Sequence, residues 1–146
     1  MDLPKELDEA LAQLEELAKT DAKKRRVADR LDVRAILIGL GDLILQHGPE
    51  EASTVLDRTR KLALQLGPEW EAACHSEVAL ACSEHINGVD ARYLNHPKYD
   101  FKYTIRGREL LEARLIAARE MKIPIDPSLI HGVDAADRRL EPFLDE

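Results

Sequence analysis

The sequence predicts an all-α fold, a bundle of about six helices in a single domain over residues 1–146. Ala and Leu are abundant and β-branched runs are scarce, a composition that favours helix over sheet. Apolar residues recur three and four positions apart through most of the chain, which is the spacing of one helix face. A chain of 146 residues can bury roughly two thirds of its unfolded surface in one core. No second domain is therefore required.

The charge and the absence of long apolar stretches limit the classes of function. The formal net charge is −7, and charged residues of both signs make up 34% of the chain, so binding to a phosphate backbone is disfavoured as its main task. Nothing approaches the roughly 18 consecutive apolar residues of a membrane span. The acidic N-terminus has no signal-peptide pattern, so we expect a cytoplasmic location and no membrane partner, and the net charge disfavours a nucleic acid partner without excluding one.

The first two helices are predicted between residue 2 and about residue 46. Asp2 is expected to cap the first helix, which stops near Lys19 because the next residues in phase with its apolar stripe are charged. Thr20 or Asp21 then caps the second helix. Its first turn carries the basic run at 23–26, which we interpret as solvated surface.

The second helix contains the most apolar segment of the chain, residues 33–45. Apolar side chains fall on almost every side of it, so we expect it to be surrounded by neighbours. Gly39 and Gly41 each destabilise a helix by about 1 kcal/mol, which indicates close approach of another helix, with a subunit interface as one place for it. Asp42 must be paired, protonated or facing water. The simplest interpretation is that it bonds an Arg of a neighbouring helix or lies on a water-facing strip, and catalysis is the alternative.

The third and fourth helices are separated by a short break at Gly67. The third is expected over about 49–66, with one apolar and one charged face. The fourth begins at Pro68 and continues towards Tyr93. On a helical wheel three residues of the fourth helix share the apolar side, namely His75, Cys82 and His85.

The fifth helix is expected over 101–123 and brings Tyr103 and Arg114 into an apolar arc. A buried guanidinium needs acceptors, so Arg114 predicts a carboxylate across the interface, and the candidates are Asp42, Glu77 and Glu84. In the sixth helix Asp126 caps the first turn, and Pro142 marks the end.

Metal and cofactor chemistry is not expected. Cys82 and His85 lie one turn apart, but two ligands do not complete a closed zinc site, which needs four. Cys74 and Cys82 are eight residues apart on one helix, about 12 Å of rise, and are expected to remain free thiols. Gly-rich phosphate loops and nucleophile elbows are missing from the sequence.

Two hypotheses of function follow from these patterns. The first is a non-catalytic helical module that self-associates, with a dimer as the first expectation, through the second helix and its Gly39 and Gly41 surface. The second is a small enzyme or ligand-binding protein with a pocket for a small anionic molecule between the second, fourth and fifth helices. Its candidate residues are His75, His85 and Asp42 for catalysis, with a histidine as base, and Arg114 as anion clamp with Tyr103 and Cys82 for binding.

Overall fold

A computed structural model describes residues 2–21, 23, 31–89 and 94–144. Within these ranges the chain forms six α-helices and no strand, which confirms the predicted all-α class. They are α1 Lys5–Leu17, α2 Leu31–His47, α3 Ser53–Leu66, α4 Pro68–Gly88, α5 Phe101–Glu120 and α6 Pro127–Leu140, followed by a 3-10 helix at Glu141–Phe143. Among the described helices, none has the length and apolarity needed to cross a bilayer.

Helix α2 lies at the centre of the bundle. It packs against α1, α4 and α5, and Ile36, Leu37 and Leu40 are completely buried. The prediction that this helix is surrounded by neighbours is confirmed along most of its length. Near its end the packing stops, and the side chain of Leu45 is 58% exposed.

The two glycines of α2 lie at close contacts inside the chain. A Cβ atom on Gly41 would lie 1.9 Å from the carbonyl oxygen of Ala113 in α5, and one on Gly39 would lie 3.1 Å from the side chain of Leu7 in α1. The predicted close approach of another helix is therefore confirmed. Both neighbours belong to the same chain, so Gly41 is buried against α5, whereas Gly39 stays partly exposed and lines a groove beside Leu7.

Helix α6 closes the bundle against α4. A small apolar cluster forms at this end from Val89, Leu94, Ala136 and Leu140. The predicted cap of α6 is confirmed, since the Asp126 carboxylate accepts a hydrogen bond from the backbone N–H of Ser128. That hydrogen bond lowers the pKa of Asp126.

Several predicted helix ends are wrong by a few residues. Helix α1 has Pro4 rather than Asp2 at its N-cap. Helix α3 begins four residues later than expected, because residues 49–52 form a turn after Gly48, whose φ is +84°. Helix α5 ends at Glu120 because Lys122 adopts a φ of 57°, and the N–H of Ile123 then donates to the carbonyl of Ala118. Glycine usually marks such an ending, so a lysine gives no signal in the sequence.

Two predictions fall largely outside the described residues. The expected start of the second helix and most of the basic run at 23–26 fall on residues 22 and 24–30, which lie outside the described ranges. Of the four basic residues in the run, only Lys23 is described. The end of the fourth helix towards Tyr93 lies in 90–93, which is also outside the described ranges.

Candidate ligand-binding cleft

A cleft with a volume of about 250 Å³ opens between α2, α4 and α5, and we call it the α4–α5 cleft. Its lining residues on α4 and on α5 are spaced three and four apart, so each helix contributes a single face. The lining consists of Arg34 from α2, of Ala81, Glu84, His85 and Gly88 from α4, and of Tyr103, Thr104, Gly107, Leu110 and Arg114 from α5.

Arg114 is the buried cation of this cleft. Only 6% of its side-chain area is exposed, and its Nε lies 3.2 Å from Oε1 of Glu77 in α4. The predicted pairing of Arg114 with an acid across an interface is thus confirmed, with Glu77 as the partner. The Nε–H is not directed at that oxygen, and this buried nitrogen donates no hydrogen bond within the described part of the chain. Burial lowers the pKa of Arg114, although the charge of Glu77 opposes the shift.

A second guanidinium approaches the same carboxylate. The Nε of Arg34 lies 3.9 Å from Oε1 of Glu77, and half of the Arg34 side chain is exposed. Glu77 is therefore shared between a buried and an exposed arginine. Glu84 adds another carboxylate to the lining, and its negative charge, like that of Glu77, opposes the lowering of the Arg114 pKa by burial.

The imidazole of His85 is held by a network that reaches two other helices. Its Nε2 lies 2.7 Å from Oδ1 of Asp137 in α6. The Nε–H of Arg108 also donates to both carboxylate oxygens of Asp137, 3.1 Å from Oδ1 and 3.0 Å from Oδ2. A second nitrogen of the Arg108 guanidinium donates to Oε2 of Glu112 at 2.9 Å. Burial alone would lower the pKa of Arg108, but its hydrogen bonds to Glu112 and Asp137 raise it above the ordinary value. The ring orientation of His85 is fixed by these contacts.

Asp137 and Arg108 were not among the predicted site residues, although the sequence carries a signal for each. Asp137 follows Val133 by four positions, so it lies beside the apolar stripe of α6. Arg108 precedes Leu111 by three positions on α5. Arg114 was identified as a charged residue inside an apolar arc, and the same consideration, applied to these two charges next to apolar positions, predicts a pair between two helices.

Three predicted site residues lie outside the cleft. His75 is exposed on α4, ten residues before His85, or about 15 Å along the helix axis, and its expected place on the apolar face is wrong. Asp42 is half-buried and lines a separate groove beside Leu7 of α1. Cys82 is completely buried, and burial raises the pKa of its thiol, so it packs as a small hydrophobic residue.

The cleft brings together the other three predicted residues, His85, Arg114 and Tyr103. The side chain of Tyr103 is 83% exposed, so its expected place in an apolar arc is wrong, and it lies at the mouth of the cleft. Among the described residues, no three or more His, Cys, Asp or Glu side chains form a group that could hold a metal ion.

Comparison of the chain with protein-family models, with curated proteins and with solved structures gives no match.

Proposed function

We propose that the protein binds a small anionic molecule in the α4–α5 cleft and that the guanidinium of Arg114 is the main anion-binding group. The observation that carries this proposal is that Arg114 is a buried cation with an unused donor. Leaving a buried donor without an acceptor costs roughly 1–3 kcal/mol, and more when it is charged. A carboxylate or phosphate in the cleft would supply acceptors to the guanidinium.

The position of Arg34 supports the same proposal. It reaches the cleft from α2, while Arg114 reaches it from α5, and both lie within 4 Å of Glu77. Two guanidinium groups around one carboxylate leave one positive charge uncompensated by that carboxylate. Arginine is also the side chain best suited to carboxylates and phosphates, since its donors form a planar fork.

Glu84 opposes anion binding, because its carboxylate lines the same cleft. With Glu84 included, the four charged groups have no net charge. Affinity must then come from directed hydrogen bonds rather than from overall charge. The Glu84→Gln variant should accordingly bind the anion more tightly than the natural protein.

The test is a binding screen with a matched pair of arginine variants. The thermal midpoint is measured with acetate, phosphate, phosphate monoesters, and mono- and dicarboxylates at millimolar concentration. At least one anion should raise the midpoint of the natural protein and of Arg119→Met, which removes an exposed arginine on the same helix. The same anion should have no effect on Arg114→Met. Circular dichroism establishes that both variants are folded.

Two results would overturn the proposal. One is that no anion shifts the midpoint of the natural protein. The other is that the shift in Arg114→Met equals that in the natural protein. A role for His85 as general base stays a prediction from the sequence; the contact with Asp137 supports it, because a base needs a fixed ring.

Self-association is the second proposal, and exposed apolar side chains favour it. Leu64 is 84% exposed, Leu80 is 56% exposed and Leu45 is 58% exposed. Since Gly41 is buried against α5 within the chain, an interface would use the partly exposed Gly39 groove or one of these other surfaces. Light scattering at micromolar concentration should give the mass of a dimer, and a strict monomer would exclude this proposal. A cytoplasmic location stays a prediction from the sequence.

A further inference from the structure

Neither a close contact nor a positive φ requires glycine at position 107 within the described part of the chain. It lies inside α5, where glycine destabilises a helix relative to alanine. A Cβ atom built on it would meet no heavy atom of another described element within 4 Å. Its backbone is helical, so no positive φ requires it. The missing side chain leaves open space, and that space belongs to the α4–α5 cleft.

Gly88 contributes to the same space from the opposite wall. It is the last residue of α4, it lines the cleft, and a Cβ atom there would also meet nothing within 4 Å among the described residues. Glycines from two helices thus widen one part of the cleft. Small residues alone would not indicate a ligand, but the same cleft contains the buried Arg114 with its unused Nε donor.

Arg114 and Gly107 lie on one face of α5, seven positions apart, or about 10 Å along the axis. Between them α5 contributes the apolar Leu110, with Ala81 of α4 as a second apolar wall, while Glu84 and His85 of α4 also line the cleft. The cleft therefore has a cationic end at Arg114, an apolar strip along α5 at Leu110, and a widened end at Gly107 near Tyr103.

We infer that the ligand is an elongated amphipathic anion whose charged head binds Arg114 and whose apolar body extends along α5 as far as Gly107. This inference rests on the proposed function, since it assumes an anion at Arg114. It specifies the class as an organic acid or ester with an apolar body. Inorganic phosphate and acetate are too short to span from Arg114 to Gly107.

The experiment is isothermal titration with acetate, octanoate and neutral 1-octanol, applied to the natural protein and four variants. Gly107→Leu fills the widened end. Arg106→Leu adds the same side chain at the neighbouring exposed position, outside the cleft, as the matched control. Arg114→Met removes the cationic end, and Gly107→Ala adds a single methyl group.

Octanoate should bind the natural protein at least about tenfold more tightly than acetate, because several methylenes leave water. Gly107→Leu should lose this gain of about tenfold while acetate binding stays the same, and Gly107→Ala should lose part of it. Arg106→Leu should match the natural protein. Arg114→Met should lose octanoate and acetate together, and octanol should bind more weakly than octanoate.

Each contrary result has a defined meaning. If acetate and octanoate bind equally and both need Arg114, the elongated ligand is wrong and the proposed function stands. If octanoate binds Gly107→Leu as it binds the natural protein, the inference is also wrong. If no anion binds the natural protein, both the inference and the proposed function fail.

Discussion

Two helix glycines, Gly41 and Gly107, show opposite uses of the same residue. At Gly41 of α2 the space for a Cβ atom is filled, since such an atom would lie 1.9 Å from the carbonyl oxygen of Ala113. At Gly107 of α5 the space is empty. Glycine thus allows two backbones to touch in one place and leaves a cleft open in the other.

The close contact at Gly41 and the cleft at Gly107 both involve α5, but they lie on different faces of that helix. Ala113 faces the backbone of α2, whereas Arg114, one position and about 100° further round the helix, lines the cleft. The α2 side is aliphatic and closely packed. The α4 side carries charged groups and an unused donor. One helix therefore supports the fold on one side and a candidate binding site on the other.

The largest effect is expected from Gly41→Ala. Its methyl group would overlap the Ala113 carbonyl, so α2 and α5 must separate, and the free energy of unfolding should fall by about 3 kcal/mol or more. Urea denaturation followed by circular dichroism measures it. A loss below about 1 kcal/mol would contradict the close contact between these helices.

A smaller loss is expected from Glu77→Gln, which leaves Arg114 as an uncompensated buried cation. We expect about 2 kcal/mol, at the low end for such changes because the Glu77 side chain is 21% exposed. Glu84→Gln is the control on the same helix, and its exposed position predicts a change within about 0.5 kcal/mol. Equal effects of the two changes would mean that Arg114 does not depend on Glu77.

Asp137→Asn should destabilise the protein by about 1–2 kcal/mol, because it weakens the contacts to His85 and Arg108. Asp134→Asn, at an exposed position of the same helix, is the control. Thermal denaturation measures stability, and NMR of the His85 ring reports whether the imidazole still has its original surroundings. Unchanged ring signals in Asp137→Asn would contradict the role of Asp137 in holding it.

The smallest effect, and the only gain in stability, is expected from Gly107→Ala. Alanine stabilises a helix interior by up to about 1 kcal/mol relative to glycine, and no described neighbour obstructs the methyl group. Urea denaturation alongside Gly41→Ala gives the comparison directly. The two substitutions should change stability in opposite directions, and a loss in both would contradict the open space at Gly107.

Part of the candidate site was predictable from the sequence because burial of a charge is visible in helical periodicity. Arg114 falls in an apolar arc, and Glu77 was one of its three candidate partners. The sequence placed His75 wrongly on the buried face of α4, because the helical wheel shows a broad apolar side and does not indicate which part of that side is buried. Which part of that side faces the core depends on where α2, α5 and α6 pack against α4.

The sequence by itself determined the helical class, the approximate segments, the central place of α2, and the presence of a buried arginine that needs an acid. These properties depend on local periodicity and on the cost of burying charge. Only the tertiary structure decided that Gly41 touches α5, that Asp137 holds His85, and that Gly107 borders open space. Such contacts join residues far apart in the chain, and the helix spacing of three and four contains no information about which faces meet.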